Sequence, residues 1–296
     1  ADEAREMVRY WAGQGFTSIK VYMNITREHL GAAIDEAHKH GMQVTGHICS
    51  VTFREAADLG IDQFAHGFSS ATDFVQDKTP DVCPSGRDTA AGLLRVSPDD
   101  AEVTSLMRRL IEKNVSVTVT LETMARFLPT TAPLPRWAKD AMDRDTLSAH
   151  LERREAALSS PASAAARMQR FKAAVALDIA FWRIVGKLVI VSDLTTGGGV
   201  MPGYANAHVM VLLVENGMPT LDVIKAATLV GAEVINKSDY RGSIKVGKRA
   251  DILVIDGDPS LDMAAMHKIV TVFKEGVGYD PVLLREAARD RIGAPG

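Results

Sequence analysis

Apolar and polar positions follow two different periods along this chain, and the period switches repeatedly between helical and strand-like over the first 192 residues. Ala4, Met7, Val8 and Trp11 recur at helical spacing, which predicts a helix over about 2–14 that ends at Gly15. Residues 16–22 then read as a buried strand. Thr26 is placed to cap a helix that runs to about His40 and closes at Gly41. A second strand is predicted over 42–47, a short helix around 52–59 ending at Gly60, and a third strand over 61–66.

Pro80, Pro84, Gly86 and Pro98 mark 67–97 as irregular, ahead of a helix at roughly 99–113. The alternation over 115–120 predicts a fourth strand. The prolines at 129, 133, 135 and 161 bracket a long insertion with a charged helical stretch, of the kind used for lids and binding loops. A helix at about 164–185 leads into a fifth strand over 187–192.

Strands that alternate with helices predict βαβ units and a parallel sheet. Five such strands are visible, where a closed (β/α)₈ barrel has eight. Two or three more helices are expected over 204–235. From Gly242 to about Gly276 the pattern becomes turns and short β-strands, followed by a helix near 281–291. The expected division is a barrel-like part over 1–235 and a small β-structure with a terminal helix over 236–296.

Composition narrows the function classes. A formal net charge of −3 favours neither nucleic acid nor an acidic membrane as partner. With 46% apolar and 24% charged residues the chain is an ordinary globular one. No apolar run reaches the roughly 18–20 residues of a membrane span. Cys49 and Cys83 allow one disulfide, but neither falls in a metal-ligand spacing, and both read as ordinary thiols. The chain opens inside a periodic helix, with no Met and no signal-like segment. It therefore reads as a fragment, a processed product or one piece of a split protein; its compartment is unknown, with the cytoplasm favoured, because any targeting signal would lie upstream.

Four polar residues fall at predicted strand ends, where a parallel barrel collects its chemistry. Lys20 lies near the end of the first strand, His47 ends the second, His66 ends the third, and Asp193 follows the fifth. Two imidazoles and a carboxylate suit a cation such as Zn²⁺ with one position left open. Such a metal polarises a carbonyl and acidifies water, and an aspartate beside it can move the proton. Lys20, if buried among apolar neighbours, would lose its charge and could take up CO₂ as a carbamate that bridges metals.

Each residue also has an ordinary reading. A lone strand-end histidine is usually a hydrogen-bonded structural group, a lone lysine in a strand snorkels or pairs, and an aspartate after a strand caps a turn. His29, His38 and His40 share one helix with acidic residues and read as a solvated face. The glycine-rich 197–203 reads as a flexible loop rather than a phosphate cradle. Tyr22, two residues beyond Lys20 on the same side of the strand, and His208, on the helix after that loop, are candidate substrate contacts.

Taken together, Ser18-Ile-Lys-Val-Tyr22, Val44-Thr-Gly-His47, Gln63-Phe-Ala-His-Gly67 and Val191-Ser-Asp193 resemble the amidohydrolase superfamily, in its imidazolonepropionase- and prolidase-like branch. Ala226-Ala-Thr-Leu-Val-Gly-Ala232 and the stretch from Arg241 to Asp256 resemble the branch's C-terminal signature. The resemblance implies a TIM-like barrel, here about strands 4–8, with the remnant of a small β-sandwich near the C-terminus. It implies one or two divalent metals, zinc foremost and one rather than two in this chain. Lys20 would be the carbamylated bridge, His47 and His66 ligands of the second metal, and Asp193 a ligand of the first and the proton shuttle.

The implied activity is hydrolysis of C–N bonds in amide, acyl-amino acid or cyclic amide substrates, with esters as easier ones. The family's first-strand His-x-His pair has no counterpart, nor do the first three strands. An open barrel arc would present unpaired edges, so homo-oligomerisation or association with an N-terminal piece is expected. Two other readings compete: a Schiff-base lyase using Lys20, and a truncated, non-catalytic remnant that self-associates.

Overall fold

The structure, a computed structural model, describes residues 1–194 and 200–293. Five parallel strands form one sheet in the order in which they occur in the chain: β1 (Ser18–Val21), β2 (Gln43–Gly46), β3 (Gln63–Phe64), β4 (Ser116–Val119) and β5 (Leu188–Ile190). A second, antiparallel sheet holds β6 (Ile252–Ile255), β7 (Ile269–Lys274) and β8 (Val277–Tyr279). The fold is α/β, with all five predicted parallel strands present in the predicted order.

The chain divides into two compact units, one of residues 1–119 and 172–189, the other of 120–171 and 190–296. In the first unit the helices are set by local chemistry that the sequence carries openly. Thr26 accepts the backbone N–H of His29 and starts the helix Arg27–Lys39. Thr52 and Glu55 make a reciprocal capping box on the helix Phe53–Leu59, which ends at Gly60 with φ 99°. The helix Ala101–Glu112 buries Val103, Leu106, Met107 and Leu110. The core is aromatic at its centre: Phe53 and Phe64, both fully buried, stack with ring centroids 3.7 Å apart, and Phe68 packs edge-on against Phe181.

The structure differs from the sequence expectation in two segments. The stretch 67–97 is not irregular throughout, because Ser85 accepts the N–H of Asp88 and caps a helix, Gly86–Arg95. This helix packs so closely that a Cβ at Gly92 would lie 2.8 Å from the carbonyl oxygen of Phe74. Cys49 and Cys83 are not free thiols but a disulfide with Cα atoms 4.9 Å apart. It ties the loop after β2 to the segment before that helix, across 34 residues of chain.

In the second unit the predicted insertion is largely helical, with Arg136–Asp140 and Arg144–Leu158. Leu134, Ala138, Ala141, Met142, Met201 and Tyr204 form a buried cluster, flanked by Trp137, Leu147, Ala288 and Ile292. The helices Ala205–Glu215 and Thr220–Lys225 and a π-helical turn at Ala226–Val230 follow. Among the described residues, no helix is long and apolar enough to cross a membrane. The glycine-rich loop read over 197–203 lies in part, through Gly199, outside the described residues.

Candidate metal and substrate site

In the first unit, register places the candidate residues at one end of the sheet. Lys20 pairs with Thr45 and Val21 with Gly46; Gly46 in turn pairs with Phe64. The ladder continues past the strands, since the N–H of His47 donates to the Val21 carbonyl and that of Ala65 to the Gly46 carbonyl. His47 and His66 therefore leave adjacent strands at the same level, and their rings meet with centroids 4.1 Å apart. The Tyr22 ring meets His47 edge-on at 5.1 Å. Tyr22, His47 and His66 thus form a row of rings across the ends of β1, β2 and β3, with Tyr22 63% exposed.

The backbone at the third position is unusual. His66 has φ 69° and Gly67 has φ 63°, two successive left-handed residues. A non-glycine residue there costs on the order of 1–3 kcal/mol and persists only where surroundings impose it. Ser69 donates to the His66 carbonyl at 2.6 Å, and Ser70 donates to the carbonyls of Ala65 and Gly67. The N–H of Phe68 donates to the Asp178 carboxylate at 2.9 Å.

Lys20 departs from expectation. It is exposed rather than buried among apolar neighbours, because β1 is the edge of its sheet and no described strand covers its open side. Its side chain borders a groove of about 550 Å³ lined by Met7, Trp11, Phe16, Ile19 and Ile25. Among the described residues, no group of three or more His, Cys, Asp and Glu side chains could hold a metal ion. As donors, then, the unit supplies two apposed imidazoles, which suit one face of a zinc-type site, and a third ligand only if Lys20 gains a carboxylate group. Of the helix histidines, His38 is exposed and pairs with Asp62 at 3.0 Å, whereas His29 is part-buried and bonds to Thr26 at 2.6 Å.

Asp193 and His208 belong to the second unit. Asp193 is half-buried just past β5, and its charge acts on Arg126, whose pKa is nonetheless lowered, chiefly by burial. His208 is buried, with Nδ1 2.5 Å from the Glu122 carboxylate, close in distance though not aligned as a hydrogen bond. Glu122 is itself only 1% exposed. Tyr204 stacks on His267 at 4.7 Å and tilts against His208 at 5.3 Å. Burial, reinforced by the Glu122 charge, pushes the Tyr204 hydroxyl up; burial and His208 push His267 down.

Sequence reasoning missed two carboxylates. Glu122 stands three residues past the end of β4, a strand-end position like the others, and that place was its available signal. Asp178 interrupts the apolar run from Val175 to Phe181. It is 1% exposed, and burial raises its pKa to about 7 against the pull of the Phe68 N–H. A carboxyl raised in the folded state binds its proton there while the unfolded chain has released it, so the fold loses stability as pH rises from about 4 to about 7. Asp178→Asn is therefore expected to unfold at higher denaturant than wild type at pH 8, with the difference gone near pH 4. Equal midpoint differences at both pH values would remove the assignment.

The family model of the amidohydrolase family matches residues 20–278. Solved structures with the same fold include a bottromycin amidohydrolase, 18% identical over 97% of this chain and 62% of that one, with a TM-score of 0.67. The ochratoxinase of A. niger is 17% identical over 94% and 54%, with a TM-score of 0.62. A Xaa-Pro dipeptidase with methionine in its active site is 20% identical over 94% and 58%, with a TM-score of 0.59. The chain thus spans less than two thirds of the length of these structures. No curated protein matches it. The chain belongs to the amidohydrolase family.

Proposed function

Starting from membership of the amidohydrolase family, we propose that this chain carries the metal-holding part of a site that hydrolyses C–N bonds. The five parallel strands are read as about strands 4–8 of a TIM-like barrel, with the division near residue 235 setting off the β-sandwich remnant. The single observation that supports the site is the apposition of the His47 and His66 rings at the ends of adjacent strands.

In this reading His47 and His66 hold one divalent ion, zinc by preference for imidazole donors, and Lys20 completes the set as a carbamate. Such an ion supplies Lewis-acid polarisation of an amide carbonyl. Both imidazoles must present a deprotonated nitrogen, so acid opposes binding. Tyr22, exposed beside His47, offers its ring and hydroxyl to a substrate. Asp193 keeps the proton-relay role on the strength of the sequence motif. His208, the other proposed substrate contact, is buried against Glu122 and so presents less surface than Tyr22. The substrate class is an amide, an acyl-amino acid or an ester.

The open side of β1 is proposed to take a further strand, from a second copy or from an N-terminal piece. The Cys49–Cys83 disulfide favours an oxidising compartment over the cytoplasm.

Dialysis against a chelator is expected to abolish hydrolysis of a panel of dipeptides, N-acyl amino acids and esters, and added Zn²⁺ to restore it. Fewer than about 0.1 metal ions per chain, with no activity restored, would sink the proposal. That result would favour the second reading, a non-catalytic remnant, which the exposed Lys20 and the two-donor set support.

A further inference from the structure

We propose that Asp178 is a positioning residue for His66, acting through the turn that follows β3; this rests on the reading of His66 as a metal ligand. The turn after β3 is tied down at its backbone. Its carbonyls at Ala65, His66 and Gly67 receive hydrogen bonds from Ser69 and Ser70, residues of the turn itself. Such bonds shape the turn but do not anchor it to anything else. The Phe68 N–H is different, because its acceptor lies 110 residues away on the helix Pro161–Arg183.

Steric fit points the same way. A Cβ at Gly67 would lie 2.5 and 2.6 Å from the two Asp178 oxygens, so the carboxylate rests on the bare Cα of the residue next to His66. Leu177 and Ile179 on either side of Asp178, and Phe181 beyond, are buried, which holds the helix in the core of the first unit. Phe68, whose N–H makes the bond, packs its ring on Phe181 of the same helix. The turn is thus gripped at backbone and side chain by one element. The left-handed φ of His66, which directs its imidazole toward His47, is the geometry that this grip maintains.

The test uses the full chain with Zn²⁺ as probe. In Asp178→Ala the His66 ring resonances should shift, the nuclear Overhauser contact between the His47 and His66 rings should weaken, and the Phe68 amide should exchange faster. Zn²⁺ affinity should fall about tenfold, the lower end of what outer-sphere groups contribute. Asp178→Asn keeps an oxygen that can accept the Phe68 N–H, and should hold the His66 signals and keep affinity within about threefold of wild type. If Asp178→Ala does not fold, Asp178→Leu fills the space without an acceptor and takes the same readouts.

Unchanged His66 ring signals in a folded variant that has lost the acceptor would overturn the proposal, whatever happened to stability. If the wild type binds no Zn²⁺, the reading of His66 as a ligand fails, while the metal-free ring signals still decide whether Asp178 positions it.

Discussion

Replacing His66 by alanine is expected to lower Zn²⁺ affinity by more than about a hundredfold, because loss of outer-sphere partners alone costs 10–100-fold and a direct ligand contributes more. Within the first unit, His47 is the imidazole that His66 faces, and no third donor of ordinary type joins them among the described residues. One remaining imidazole cannot hold the ion against water. Stability should fall only modestly, because alanine, like histidine, carries a Cβ at φ 69° and His66 is only part-buried. His47→Ala should behave alike. His38→Ala, which removes an exposed partner of Asp62, is the control that should leave affinity unchanged. Competition with a chromophoric chelator reads the effect, and an affinity within tenfold of wild type in His66→Ala would remove His66 from the ligand set.

The second large effect falls on stability. His208→Ala leaves the Glu122 carboxylate 1% exposed and without the imidazole that lies 2.5 Å from it. Breaking one side of a buried pair costs about 3–5 kcal/mol, whereas replacing both sides by apolar groups of similar volume is often neutral. The asymmetry decides the design of the experiment. His208→Ala should lower the denaturant midpoint strongly, Glu122→Leu with His208→Leu should recover most of the loss, and the single changes should not add. If the double change is as unstable as the sum of the singles, the pair contributes packing alone.

How far all this was legible varied with the distance over which each feature is determined. Thr26, the Thr52–Glu55 pair and Gly60 act within one turn of chain; Thr26 and Gly60 mark helix ends that the sequence pattern predicts, and the pair caps the helix predicted around 52–59. Five β-periodic runs became five strands in chain order, because a parallel βαβ succession leaves few alternatives. The helix Gly86–Arg95 was hidden by the prolines around it, although Ser85 and Asp88 already carried a cap. Cys49 and Cys83 needed three-dimensional proximity before they could be paired.

For the site, strand-end position was enough to single out His47 and His66, which do meet. It was not enough for Lys20, whose exposure depends on what covers the edge of β1. Glu122 offered only its strand-end place and Asp178 no signal of that kind, because a buried carboxylate is defined by the N–H or imidazole it faces, and both of those partners are remote in sequence.

The division of the chain has a consequence for its birth on the ribosome. Residues 1–119 belong to the first unit, yet that unit is completed only by 172–189, after the chain has passed through 120–171 of the other. A nascent chain that has emerged as far as β4 already contains His47 and His66, but neither Asp178 nor the fifth strand. Vectorial synthesis thus exposes an unfinished sheet and an unbraced His66 turn for the whole time taken to translate the intervening helices. A chain that stalls in that window would carry both imidazoles without the helix that holds one of them in place.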